Sequence, residues 1–176
     1  MRIPQPNEYS EFTKGYITLA KELAGAGGDI LAACEKQGVD AEKILRGIPD
    51  AKGGYAYAPG KWTLAQVLGH IIDGERILAY RVLCVARGEQ KPLPGYEQDD
   101  FVETAGSENI PFHELVDEYL LVRKSSVTLM KHLPADAWDR KGTASNNIFS
   151  TLGLAYVLVG HAEHHWRILK DRYLQK

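Results

Sequence analysis

The segment Gly160-His161-Ala162-Glu163-His164-His165 lies inside an apolar run that extends from Leu152 to Leu174. His161 and His165 are four residues apart, so on a helix both rings point the same way, one turn above the other. At about 100° per residue, the pair shares the core-facing stripe of that helix, where an unpaired imidazole would be costly. Two imidazoles on one helical face can hold a divalent metal ion if a third ligand comes from elsewhere in the chain.

A third candidate is His70, which lies midway along another apolar helical segment, Leu64 to Ala86. Its apolar stripe has helical periodicity and consists of Leu64, Val67, Leu68, Ile71, Leu78 and Val82. His70 lies at the edge of this stripe, and Gly74, one turn further on, is expected to leave open space beside it. A ligand could then reach a site at His70.

Two interpretations of these three histidines stay open at this point. A lone histidine on an apolar helix face is usually a hydrogen-bonded core residue. Three histidines from two helices, however, match a three-ligand metal site with open positions for water or substrate. A ligand set without carboxylates favours zinc or nickel over magnesium or calcium.

The periodic segments predict an all-α protein, a four-helix bundle with long connections between helices. The helices are expected from Asp29, as N-cap, towards Leu45; from near Thr63 to about Arg87; from about Pro111 to Leu133; and from near Ser150 to Tyr173. No strand is expected in the connections. We expect residues 1–176 to form a single domain, with its core at about 28–174 and an N-terminal extension at 1–27.

Composition limits the function classes. A formal net charge of −2 provides no field that would attract nucleic acid or an anionic membrane. Cys34 and Cys84 have neither metal-binding spacing nor the density of a disulfide scaffold. The sequence shows no signal core and no apolar run of transmembrane length, so we expect a cytoplasmic protein with a small-molecule partner.

Neighbouring catalytic motifs are not matched. A zincin protease needs glutamate directly after the first histidine, and here that position is Ala162. The chain contains no Gly-x-Ser-x-Gly nucleophile elbow. The glycine-rich stretch Gly25-Ala26-Gly27-Gly28 lacks the Lys-Ser/Thr of a phosphate-binding loop and follows no strand.

Glu75 falls in the centre of the apolar stripe of the second helix, between Ile71 and Leu78. A buried carboxylate needs a cationic partner, for which Arg172 is one option. This pattern favours a structural ion pair over a catalytic role.

The fourth helix carries a second apolar stripe, formed by Ala155, Val159, Ala162, Trp166 and Tyr173. A helix that is apolar on two faces is buried on both sides or covered by a partner. The stripe therefore predicts a homodimer through helices. The alternative is that the segment from Tyr9 to Leu23 folds back over it.

Several short motifs follow one another along the chain: Ala58-Pro59-Gly60-Lys61-Trp62-Thr63, Gly69-His70 with Asp73 and Glu75-Arg76, Ala79-Tyr80-Arg81, Pro92-Leu93-Pro94-Gly95-Tyr96 and Gly160-His161-x-x-His164-His165. In this order, over about 28–174, they resemble the DinB-like (YfiT-like) family of bacterial four-helix-bundle proteins. Members of that family hold a divalent metal through one histidine of the second helix and a histidine pair of the fourth. By position the resemblance implies His70, His161 and His165 as ligands, with His164 outside the ligand set.

The sequence departs from the family at two places. Gln66 stands where many relatives have glutamate, and Ala162-Glu163 stands where glutamate followed by leucine is common. None of these positions is a ligand in the family, so the implied metal assignment is unaffected.

The resemblance implies a metal-dependent enzyme, since some relatives resemble thiol-dependent S-transferases and others are called hydrolases. A bound divalent ion would lower the pKa of a thiol or a water molecule. We prefer thiol transfer from a low-molecular-weight thiol to a small electrophile, because thiolate is a good zinc ligand. The alternatives are a metal-dependent hydrolase, a non-catalytic metal-binding or ligand-sensing protein, and a metal-free protein with hydrogen-bonded histidines.

The connection from Leu93 to Phe101 is expected to supply substrate contacts, because Tyr96, Asp99 and Asp100 cluster there. For Asp100 a solvated turn is the favoured interpretation. No residue is assigned a catalytic role from the sequence.

Overall fold

The computed structural model describes residues 1–175. Six α-helices are present: α1 Lys14–Ala24, α2 Ile30–Leu45, α3 Leu64–Ala86, α4 Gln98–Ala105, α5 Phe112–Lys131 and α6 Thr151–Ile168. Strands β1 Lys141–Ala144 and β2 Asn147–Ser150 form one antiparallel hairpin. Short 3₁₀ segments lie at Pro6–Glu8, Glu11–Thr13, Asp50–Lys52, Ser107–Asn109 and Ala135–Asp139, and α6 continues as a π-helical turn, Leu169–Tyr173.

The four long helices correspond to the four predicted ones and pack as a bundle. Each of α2 and α3 contacts both α5 and α6, so the four helices enclose a common core. The predicted all-α four-helix bundle is therefore confirmed. None of the helices in residues 1–175 is long and apolar enough to cross a membrane.

Side-chain caps set the starts of three of these helices. The Asp29 carboxylate accepts the backbone N–H of Ala32 at 3.0 Å, and Ser150 Oγ accepts that of Gly153 at 2.9 Å. Thr63 and Gln66 form a reciprocal capping box at the start of α3. Each such cap satisfies backbone donors that the first turn leaves without partners. Glutamine completes a capping box as glutamate does, so Gln66 serves this function at the start of α3.

The predicted N-terminal extension, residues 1–27, contributes α1, which packs against the bundle. Helix α1 packs along α6, and Ile17 and Ala20 are buried in the same cluster as residues of α6. Two glycines of α6 allow this approach: a Cβ at Gly160 would lie 1.9 Å from the carbonyl oxygen of Tyr16, and one at Gly153 would lie 2.0 Å from that of Glu8. Only glycine permits backbone contact this close.

This packing corrects the predicted dimer contact. The second apolar stripe of α6 is buried within the single chain, with every member at most 3% exposed. Ala155 and Val159 share a cluster with α1, and the Trp166 ring lies edge-on to Tyr119 of α5 with centroids 5.4 Å apart. The stripe therefore has no free surface for a second copy.

The hairpin is a second departure from the prediction, which expected no strand. Ser145 and Asn146 connect β1 to β2 with φ values of 47° and 61°. Two consecutive residues with positive φ form the turn that fits the twist of a two-residue hairpin. Asparagine tolerates this conformation better than most residues, so the Ser-Asn-Asn stretch carried a signal for it.

Glu75 is buried as predicted, but its partner is Arg123 of α5 rather than Arg172, which is exposed. Arg123 Nη2 lies 2.8 Å from Glu75 Oε2, and both side chains are at most 3% exposed. Arg123 Nη1 also donates to the Gln37 side-chain oxygen and to Cys34 Sγ. The pair links α3 to α5 inside the bundle.

Candidate metal centre

The three predicted histidines converge between α3 and α6. His70 Nε2 lies 3.1 Å from His161 Nε2 and 3.1 Å from His165 Nε2. One ligand atom from each ring falls within 4.8 Å of the others, and all three residues are buried. His164 is exposed and stands outside this group.

Gly74 makes room for this arrangement in a way that differs from the prediction. The space beside it is not open, because the His161 ring fills it. A Cβ at Gly74 would lie 2.7 Å from His161 Cε1, which is closer than carbon atoms can pack. The absence of a side chain at Gly74 thus lets α3 and α6 approach with an imidazole between them.

All three rings are neutral near pH 7. Burial lowers the pKa of His70 to about 4, of His161 to about 3 and of His165 to about 2. The neighbouring imidazoles add to the effect at His161 and His165, because each charged ring would repel the next. Each ring therefore keeps one nitrogen lone pair available to a Lewis acid.

The spacing of the nitrogens suits a shared cation better than ordinary hydrogen bonds. A neutral ring nitrogen carries one proton or one lone pair, so His70 Nε2 can make a regular hydrogen bond to only one of its two neighbours. Two nitrogens on a tetrahedral zinc ion, with bonds of about 2.0–2.1 Å, lie about 3.3 Å apart. The observed separations are close to this value, and the all-imidazole donor set suits zinc or nickel.

Aromatic rings border the three histidines. The Trp62 ring is tilted over His70 with centroids 5.0 Å apart, and the Tyr16 ring meets His161 edge-on at 5.5 Å. Because Tyr16 lies on α1, the N-terminal helix forms one side of the site. These rings place aromatic surface against two of the three imidazoles.

An open cleft of about 660 Å³ adjoins the site, and His161 is the histidine that reaches it. Tyr96 and Asp99 line this cleft, as predicted from their connection, whereas Asp100 is exposed and is not among the lining residues. The Asp99 charge raises the pKa of His70 in opposition to burial, which indicates that Asp99 lies near the histidines. The cleft is large enough for a small organic molecule.

Arg81 is a cleft residue to which the sequence analysis gave no role. It is only 8% exposed, and its Nη2 donates to the Pro94 carbonyl oxygen at 2.8 Å and to Ser145 Oγ at 2.9 Å. The spacing of residues 70, 74 and 81 is a sequence signal that could have pointed to Arg81. These residues are separated by four and seven positions, which places them on one face of a helix. Arg81 connects that face to the hairpin and to the loop before α4.

The family model of the DinB superfamily matches residues 33–169. No curated protein matches the chain significantly. YfiT from Bacillus subtilis, described as "a probable metal-dependent hydrolase with an unusual four-helix bundle topology", has a similar structure, with a TM-score of 0.70 and 15% identity over 96% of this chain and 89% of that one. The mycothiol-dependent maleylpyruvate isomerase has a TM-score of 0.66 and 13% identity over 83% of this chain and 60% of that one.

At these identities the two structures show a shared fold and nothing more specific. The YfiT likeness covers nearly all of both chains, including the bundle that holds the three histidines. The family model independently spans most of the sequence, from α2 to the end of α6. The protein therefore belongs to the DinB superfamily.

Proposed function

We propose that the protein is a metal-dependent enzyme that holds one divalent ion through the Nε2 atoms of His70, His161 and His165. One observation carries this proposal: three buried, neutral ring nitrogens meet beside a cleft that can admit a small molecule. Zinc or nickel is the expected metal, because imidazole is a good ligand for both. A three-histidine set leaves coordination positions free for a substrate.

The chemistry that such an ion supplies is a lowered pKa for a bound thiol or water. The protein supplies the surroundings. Trp62 and Tyr16 place aromatic rings against His70 and His161. Burial raises the pKa of the Tyr96 phenol, so that it stays protonated and can donate a hydrogen bond to a molecule in the cleft.

Transfer of a low-molecular-weight thiol to a small electrophile is the reaction we favour. Neither cysteine belongs to the residues that line the cleft: Cys34 is buried beside Arg123, and Cys84 lies elsewhere on α3. A thiol at the site would therefore come from a small molecule. The mycothiol dependence of the isomerase with a similar fold supports this choice.

Hydrolysis is the second candidate, supported by the description of YfiT. The two reactions differ in the nucleophile, a thiol in one and water in the other. A non-catalytic metal-binding or ligand-sensing protein is the third candidate, and the open cleft beside the histidines argues for an enzyme over it.

The proposal is tested by metal analysis of protein purified without a histidine tag, followed by zinc or nickel titration. We expect a stoichiometric site in the wild type and its loss in His70→Ala. The loaded protein is then screened for consumption of low-molecular-weight thiols with small electrophiles and, in parallel, for ester and amide hydrolysis. Thiol consumption that requires the metal supports the transferase, and metal-dependent hydrolysis without thiol supports the hydrolase.

Two results would contradict the proposal. If His70→Ala binds zinc as tightly as the wild type, the three histidines are not the site. If rigorously metal-free protein is fully active, the metal has no part in the reaction.

A further inference from the structure

Within the described residues, Arg81 is a buried cation whose hydrogen bonds go to neutral groups. Its Nη2 donates to the Pro94 carbonyl oxygen and to Ser145 Oγ, and neither acceptor carries a charge. Within residues 1–175, no carboxylate lies at ion-pair distance from the Arg81 guanidinium, and burial lowers its pKa. Burying a charge without a counter-charge is unfavourable.

The other buried arginine of the bundle provides a comparison. Arg123 is 3% exposed and lies 2.8 Å from the Glu75 carboxylate, deep between α3 and α5. Arg81 is 8% exposed, yet it lines the cleft next to the histidines and lacks such a partner. The counter-charge that Arg123 finds inside the protein is missing for Arg81.

We propose that Arg81 binds the carboxylate of an anionic substrate, whose reacting part extends along the cleft to the three histidines. This inference deepens the proposed function and rests on it, because it takes the same cleft as the substrate site. His161 and Arg81 line one cleft, so one molecule can contact both ends. The planar guanidinium offers paired N–H donors that match a carboxylate.

The charges of the cleft favour a carboxylate over a phosphate. Among its described lining residues, Arg81 is the single lysine or arginine, whereas Glu97 and Asp99 each contribute a carboxylate. Apart from the proposed metal ion, the side chains of the cleft would offer a dianion one cation and two carboxylates. A monoanion at Arg81 needs only one counter-charge.

The walls indicate an apolar body next to the carboxylate. The lining of the cleft combines polar residues with the aromatic and aliphatic side chains of Tyr16, Leu78, Phe149, Leu154 and Val157. His161, which reaches the cleft, packs on Gly74, and Gly74 is seven residues from Arg81 on α3, about 10 Å along the helix axis at 1.5 Å per residue. The substrate class is therefore a carboxylic acid with an apolar body and an electrophilic centre several bonds away.

Arg81 could instead serve only to connect Pro94 and Ser145, so the test must separate charge from this structural contact. Binding of sodium benzoate and of uncharged benzamide is measured by calorimetry on the full chain, both as purified and loaded with zinc. Arg81→Gln removes the charge but keeps an amide donor for Pro94. Ser145→Ala removes one contact to the hairpin and leaves the charge in place.

We expect the wild type to bind benzoate at least about tenfold more tightly than benzamide, and Arg81→Gln to lose this preference, since a charge-assisted hydrogen bond contributes about that much. Ser145→Ala should stay within about twofold of the wild type. Equal affinity of the wild type for benzoate and benzamide overturns the inference whether or not the glutamine variant folds. An equal loss in Ser145→Ala and Arg81→Gln also overturns it, because the contact would then matter and the charge would not.

His70→Ala separates this inference from the proposed function. We expect it to lose zinc and to keep its preference for benzoate over benzamide. If the preference disappears in His70→Ala and persists in Arg81→Gln, the carboxylate binds at the metal and the Arg81 assignment is wrong. If the wild type fails to bind zinc, the proposed function fails, and the benzoate measurements alone decide the role of Arg81.

Discussion

The His161 ring packs directly on Gly74, at a point where a single added methyl group would lie 2.7 Å from ring atom Cε1. The two residues lie on different helices, so this contact sets how closely α3 and α6 approach at the site. The position of a proposed metal ligand thus depends on a residue that has no side chain.

Gly74→Ala should therefore weaken zinc binding while leaving the helix intact. Alanine is favoured over glycine inside a helix by about 1 kcal/mol, but its methyl group would displace the His161 ring. We expect zinc affinity, measured by competition with a chromogenic chelator, to fall about 10- to 100-fold, as for other changes that misplace a ligand. Gly15→Ala in α1 is the matched control, because a Cβ there meets nothing within 4 Å. Unchanged zinc affinity in Gly74→Ala would contradict this account.

The two neighbouring histidines of α6 should behave differently. His161→Ala is expected to abolish both zinc retention and metal-dependent turnover, because His161 contributes a converging nitrogen. His164→Ala should largely preserve zinc binding, since that ring is exposed and outside the cluster. Metal content after gel filtration, together with turnover, distinguishes the two variants. Equal loss in both would mean that the wrong histidine has been assigned.

Removing one member of the buried Glu75–Arg123 pair should destabilise the protein far more than replacing both members with apolar residues. Glu75→Ala leaves the Arg123 charge buried, and we expect the free energy of unfolding to fall by about 3–5 kcal/mol. Replacing both residues with methionine should recover most of this loss, because apolar residues of similar volume avoid the desolvation of two charges. Urea denaturation monitored by circular dichroism measures both effects. If the double variant is no more stable than Glu75→Ala, the pair contributes more to the free energy of unfolding than the neutralisation of one buried charge by the other.

The N-terminal segment should loosen in acid. Two hydrogen bonds from Arg2, at 2.5 and 2.7 Å, lower the pKa of Glu8 from 4.5 to about 2. Because the folded-state pKa is lowered, this contribution to stability is present above about pH 4.5 and is lost as the pH falls towards 2.

Glu8→Gln should therefore be less stable than the wild type at pH 6, and the difference should shrink steadily towards pH 2. Urea midpoints at several pH values measure it. Lys14→Ala, which removes an exposed ion pair with Glu11, is the control and should barely change the midpoint at any pH. A difference for Glu8→Gln that is constant from pH 6 to 2 would contradict the assignment.

Local signals in the sequence were sufficient to predict the four long helices and to single out the three histidines as candidates, whereas α1 and α4 were not predicted. Asp29, Thr63 and Ser150 are N-caps because their side chains bond to their own first turns, which is a short-range property. The histidine pair of α6 follows from a four-residue spacing, and His70 from its place beside an apolar stripe. Each of these predictions depends on residues close together in sequence.

The features that were missed depend on contacts between distant parts of the chain. Arg123 was not identified as the partner of Glu75, because the choice among arginines depends on the rotation of α5 against α3. The packing of α1 was anticipated only as an alternative to a dimer, although Gly153 and Gly160 lie seven residues apart and permit close backbone approach. Gly74 was interpreted as open space because nothing local indicates which ring fills it.

The contact between Tyr16 and His161 also bears on how the protein is made. The aromatic side of the cleft comes from α1 and a proposed ligand comes from α6, so the two meet only across nearly the whole length of the chain. Synthesis proceeds from the N-terminus at about 5–20 residues per second, and contacts at such separation form late because they close a long loop. The proposed site can therefore assemble on a nascent chain only after α6 has left the ribosome, and binding of the proposed metal ion would follow that step.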